Sequence, residues 1–259
     1  MTEMGAATRR RIMQRLHPAL TDVLNRLDGT SVGPEFKERA VDVSLSKYLA
    51  APIDYGTSLA AFRWILERAD GDGLPLTASG YLKPADVKTL GALLPTMHDW
   101  PFTISSEVRA NPVLYFRDYL KAVGLVRKYK SSLRLARAGR DGLADNAALW
   151  RHLADTLVPN GSELEAEAGI VILVHAATTE GKIDMEAVAG TLSELGWVLG
   201  TGDRITSYEV YPVWNRLWAA LGNVGDPDSG HYFTRMLSAP ARVLVHDALF
   251  EEIGDNPVQ

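Results

Sequence analysis

The sequence predicts a mainly α protein with short β-hairpins, an α+β fold assembled from repeated helix–hairpin–helix units. Three observations carry this reading. Apolar stripes recur at helical spacing, Gly or Pro closes most of them, and short alternating segments about polar turns lie between. With 259 residues, 46% of them hydrophobic and 23% charged, the chain can bury a real core and is too apolar to be disordered.

The spacing of Ile12, Leu16, Leu20, Val23, Leu24 and Leu27 predicts a helical stretch over 8–27, split at His17-Pro18 because the residue before proline avoids helical angles. A second helix is expected over 35–49, ended by Ala51-Pro52. Ser58 reads as the N-cap of a helix presenting Leu59, Phe62, Ile65, Leu66 and Ala69, which Asp70-Gly71-Asp72-Gly73 stops. Leu74 to Leu82 reads as two short strands about Ala78-Ser79-Gly80. Pro84 suits the first turn of the next helix, with Val87, Leu90 and Leu94 on one face.

The order then recurs. Val113, Phe116, Leu120 and Val123 form a stripe stopped by Gly124, a left-handed C-cap. Leu125-Val126 and Leu133-Arg134-Leu135 flank polar Lys130-Ser131-Ser132 as a hairpin, and Asp145 caps a helix bearing Leu149, Trp150, Leu153 and Leu157. Pro159-Asn160-Gly161 reads as a linker. Ser162 and Glu165 form a capping-box pattern before an apolar helix through Ala177. Met185, Val188, Leu192 and Leu195 make a stripe stopped by Gly196, and a third hairpin is expected over 197–206 before a helix with Val213, Leu217 and Leu221. The local patterns repeat: Leu74-Pro75-Leu76-Thr77 with Leu133-Arg134-Leu135-Ala136, and Gly124-Leu125-Val126 with Gly196-Trp197-Val198.

Charge is unevenly spread. Against a net charge of -5 for the whole chain, residues 104–140 carry nine basic and two acidic side chains, whereas residues 141–259 carry six basic and eighteen acidic. A mostly acidic molecule with one concentrated basic segment is no general polyanion binder, but that segment offers one face for a phosphate backbone. In an alternating strand Arg127, Tyr129 and Arg134 project away from Val126, Leu133 and Leu135. Arg127, Lys128, Tyr129, Lys130, Arg134, Arg137 and Arg140 are therefore the expected nucleic-acid-binding residues, helped by Arg9, Arg10, Arg11 and Arg15. The competing reading is an edge hairpin that positive charge protects from aggregation.

The run Leu120, Gly124-Leu125-Val126-Arg127-Lys128, Leu133, Leu135 and Ala138-Gly139-Arg140 resembles the wing region of winged-helix transcriptional regulators of the multiple-antibiotic-resistance and phenolic-acid repressor types. Ala136 stands where those proteins carry a hydroxyl residue. The first unit, Leu74 to Gly80, is also similar to a group of actinobacterial proteins carrying Leu-Thr-x-x-Gly-x-Leu. The resemblance implies winged-helix-like units: an N-terminal helical segment over 1–56, two units over 57–158 and a third over 162–259. It also implies duplex DNA as partner and a role in transcription regulation. The alternative is a scaffold whose winged units contact another protein or a second copy, without nucleic acid.

Signals for an enzyme are poor. No Gly-x-Ser-x-Gly, His-Glu-x-x-His or Gly-x-x-x-x-Gly-Lys-Ser/Thr is present, and the six His show no metal-ligand spacing. Asp70-Gly71-Asp72-Gly73 begins like a calcium loop, but Tyr81 occupies the place of the bidentate Glu. No catalytic residue, metal or cofactor is assigned. His175, inside an apolar helix, is expected to be a core residue. His152 and Asp155 are placed to pair on one helix, and Trp214 and Trp218, four apart, to pack on each other. With no Cys and no run of about 20 apolar residues, a reducing, cytoplasmic setting without membrane contact is expected.

Overall fold

The computed structural model describes residues 14–229 and 235–252, so Arg9, Arg10, Arg11 and His231 lie outside the described residues. In chain order the elements are β1 (Gln14–Leu16), α1 (Pro18–Leu27), α2 (Gly33–Ser44), α3 (Tyr55–Ser58), α4 (Ala60–Ala69), β2 (Leu74–Pro75), α5 (Pro84–Gly91) and α6 (Asn111–Ala122). They continue with β3 (Val126–Tyr129), β4 (Ser132–Leu135), α7 (Arg137–Ala144), α8 (Asn146–Asp155) and α9 (Glu163–Thr178). Last come α10 (Met185–Glu194), α11 (Ser207–Leu221), α12 (Ala239–Leu249) and β5 (Phe250–Glu252). The fold is mainly helical with small antiparallel sheets, as the periodicity predicts.

Helix α9 is the centre. Its stretch from Ala168 to Ala176 is buried on every side, so it shows no polar face. Helices α1, α2, α10, α11 and α12 pack around it. At roughly 1.5–3 kcal/mol for each large apolar side chain removed from water, Ile170, Val171, Ile172, Leu173 and Val174 make it the main anchor of that half. Its start is the expected capping box, in which the Ser162 hydroxyl accepts from the Glu165 N–H and the Glu165 carboxylate from the Ser162 N–H. Its far end meets the buried guanidinium of Arg242, which donates to the carbonyls of Ala177 and Thr179 and so satisfies groups that the helix leaves unpaired.

The sheets differ from the sequence expectation in an informative way. Of the helical stretch expected before Pro18, residues 8–13 lie outside the described residues, and Gln14–Leu16 is a strand, antiparallel to β5, with Leu16 opposite Phe250. Leu74–Leu82 does turn back, through a Leu76–Leu82 bridge closed by the Thr77 N–H to the Tyr81 carbonyl at 2.8 Å. Its first two residues, however, pair with β4, Leu74 opposite Leu133. The two segments read as hairpins of separate units thus share one three-stranded sheet in the order β2-β4-β3. The third expected hairpin is a single bridge, Val198 to Arg204, with the Leu199 N–H on the Asp203 carbonyl.

Other positions shift locally. Ser58 is not an N-cap; it is buried in α3, whose cap is Asp54, the carboxylate accepting from the N–H groups of Gly56 and Thr57. The second helix ends at Ser44, and Lys47–Ala50 continues it only as a 3-10 turn. Pro159, read as part of a linker, is buried against Gly169, where a Cβ would stand 2.4 Å from the proline Cδ. The buried apolar cluster runs from Leu20 to Phe250 without a break there.

Candidate nucleic-acid interface

The interface begins where α6 stops. Gly124 takes φ +71°, and the Leu125 N–H reaches back to the Leu120 carbonyl at 3.0 Å, closing the helix and turning the chain into β3. Gly196 repeats the device at φ +94°, with the Trp197 N–H on the Leu192 carbonyl at 3.1 Å. Leu125 and Val126 are then buried and anchor the strand on the core. Gly139, in α7, lets that helix lie against the strand: a Cβ there would fall 2.0 Å from the Leu125 carbonyl oxygen.

Strands β3 and β4 pair Val126 with Leu135, Arg127 with Arg134, Lys128 with Leu133 and Tyr129 with Ser132. Alternation therefore puts Val126, Leu133 and Leu135 on the core face, and Arg127, Tyr129 and Arg134 on the opposite one. The register agrees with the sequence expectation for these six residues. Lys128 shares the core-side row but lies beyond the cover and is exposed, its Nζ beside the Gly80 turn. Lys130 makes the reversal at φ +51°, a left-handed conformation unusual for a side chain of its length.

Tyr129 is 41% exposed, and three cations surround its ring: Arg134 at 5.0 Å, Arg127 at 5.4 Å and Lys130 at 5.6 Å from the centroid. Cations over an aromatic face gain on the order of 0.5–1 kcal/mol each at exposed sites. Among the described residues none of Arg127, Lys128, Lys130, Arg134, Arg137 and Arg140 has a carboxylate within ion-pair distance. Arg137 and Arg140 are exposed on α7, Arg140 donating to the Leu135 carbonyl at 3.4 Å. Ala136, the N-cap of α7, makes no side-chain capping bond. Arg15 is exposed on β1, opposite Glu251.

No family model, curated protein or solved structure matches this chain.

Not all nine cations of 104–140 face outward. Arg117 is buried and paired with Glu107, its Nη1 2.8 Å from Oε2 of a carboxylate with no exposed surface. The same guanidinium donates to the Gly80 carbonyl at 3.1 Å and to Asp118 at 3.3 Å, while Glu107 also accepts from the Leu82 N–H at 2.7 Å. The pair holds the Thr77–Leu82 turn against α6, directly beneath Lys128. Sequence reasoning missed it, because neither residue belongs to a local motif. Lys121 is paired with Asp118 at 3.2 Å.

Helix α6 itself packs on α11 across a cleft of about 330 Å3, with Tyr115, Asp118 and Tyr119 facing Pro212, Asn215 and Arg216. In the hairpin, Arg127, Lys128, Tyr129 and Lys130 are all exposed. Elsewhere, His152 bonds the Val123 carbonyl at 2.7 Å instead of Asp155. His175 is buried near the Phe36 ring, and burial lowers its pKa to about 4, as its core setting predicts. The rings of Trp214 and Trp218 lie 5.4 Å apart and pack as expected. Among the described residues no group of His, Asp and Glu is arranged to hold a metal ion, and no helix is long and apolar enough to cross a membrane.

Proposed function

We propose that this chain is a non-catalytic DNA-binding protein, a transcriptional regulator that holds the phosphate backbone of duplex DNA with the β3–β4 hairpin as a basic wing. The single observation that carries the reading is the hairpin's outward face, where cations cluster around one tyrosine with no carboxylate among the described residues to neutralise them. The helix–strand–helix–helix–hairpin order of residues 60–135, with strands ordered β2-β4-β3, supports a winged-helix-like unit. With α6 packed on α11, the contact is to phosphates more than to base edges, and phosphate contacts carry little sequence information.

A gel shift on labelled duplexes of unrelated sequence tests this. The chain is expected to retard all of them at low salt. About four hairpin cations imply a slope of log affinity against log salt of about -3 to -4. Changing Arg127, Lys128 and Arg134 to Ala flattens that slope to about -1. No retardation at low salt overturns the proposal.

A second reading, a winged-helix-like scaffold that binds a protein, draws on one observation: the helix before the wing packs along α11 on one side. It expects a complex on sizing with a partner or a second copy, and no dependence of that complex on Arg127 and Arg134.

A further inference from the structure

Resting on the nucleic-acid reading, we propose that Arg127 and Arg134 together grip a single phosphodiester group, and that the free chain holds them ready at a cost to its own stability. The two residues are direct partners across β3 and β4. Like charges in that position repel and destabilise an antiparallel pair. The Tyr129 ring, within 5.0–5.4 Å of both guanidinium carbons, offsets part of the repulsion. No carboxylate among the described residues completes the neutralisation.

Edge protection does not account for this arrangement. β3 is the outer strand of the sheet, and one cation on an outer strand suffices to discourage pairing with another chain. It does not call for a second cation on β4, the central strand. Arg134 is also held in place: its Cγ lies 2.9 Å from where a Cβ would stand on Gly73, so the stem lies over backbone that only glycine leaves clear. Its Nε is buried with no hydrogen-bond partner among the described residues. Two planar forks on one face match an anion with several oxygens; arginine forks bind carboxylate and phosphate alike in pairs of hydrogen bonds, and of the two only phosphate has oxygens enough for both forks at once. A phosphate between them turns the repulsion into two attractions, so ligand binding and relief of the strain coincide.

The test compares Arg127→Thr and Arg134→Thr with the parent chain by thermal midpoint at low salt, with and without inorganic phosphate, and by affinity for a labelled duplex. Each variant is expected to raise the midpoint of the free protein by about 1–2 °C. Each loses most of the rise that phosphate gives the parent, and binds duplex about tenfold more weakly. Lys128→Thr, opposite Leu133, weakens duplex binding without the gain in midpoint. If both arginine variants leave the midpoint unchanged or lower it, the grip is refuted, whatever happens to DNA binding. If the midpoints and the phosphate effect follow expectation while the parent binds no duplex, the grip stands and the DNA reading falls. Should one variant fail to fold, the other decides.

Discussion

Replacing Glu107 by Ala is expected to cost the fold about 3–5 kcal/mol, because it leaves the Arg117 guanidinium buried without its charge partner. Only the Gly80 carbonyl and the half-exposed Asp118 then remain to it, and the Leu82 N–H loses its acceptor. Burial already pushes the Glu107 carboxyl above its ordinary pKa, with the Leu82 N–H and Arg117 pulling it back. The pair therefore persists by mutual compensation, not by any intrinsic gain from burying charge. Glu107→Gln keeps an acceptor and should cost less. The double change Glu107→Leu with Arg117→Met removes both charges and should recover much of the loss. Chemical denaturation of the three variants checks this ordering. A double variant as damaged as Glu107→Ala alone would mean that packing, and not uncompensated charge, sets the penalty. Because the pair holds the turn beneath Lys128, Glu107→Gln should also weaken duplex binding by less than tenfold.

Lowering the pH from 7 to 4 should remove about 3 kcal/mol of stability through His175 alone. Burial is the main cause of its depressed pKa; Arg39 adds to it, and Glu35 and Asp184 oppose it. The unfolded chain, with an imidazole near the ordinary 6.5, takes up a proton that the folded chain refuses until about pH 4. Between these values the unfolded state binds more protons, so stability falls as pH falls. The contribution is whole above 6.5 and gone below about 4. His175→Leu should remove this component, so that the gap between parent and variant narrows on acidification. Denaturant midpoints at pH 7 and 4 measure it. A parent and variant that lose the same amount would show that the imidazole is not desolvated in the folded chain.

What the sequence disclosed was set by local backbone rules. Gly124 and Gly196 end helices because a left-handed residue is needed there. Ser162 with Glu165, and Asp145, cap helices through bonds two or three residues long. The alternation Val126 to Leu135 put Arg127, Tyr129 and Arg134 on one face before any coordinates were needed. The capping box of Thr206 and Glu209 is equally local. What stayed hidden depends on partners far along the chain. Gln14–Leu16 becomes a strand only because Phe250–Glu252 lies beside it, and no periodicity in either segment announces the other. Leu74-Pro75 matches Leu133-Arg134 in pattern, which suggested two copies of one unit; the structure makes them neighbours in one sheet. In sequence Arg117 is one more cation of a basic segment; only Glu107 and the Gly80 carbonyl, distant or out of register with it, hold it inside. The apolar face of α6 was legible, but its packing along α11 was not.

Amide hydrogen exchange of the full chain, with and without an excess of a short duplex at low salt, locates the contact most directly. The account predicts slowed exchange at the turn and strands of 126–135 and the first turn of α7, with α10, α11 and the acidic surface around them unchanged. Protection centred on another part of the molecule, or none anywhere, would contradict it.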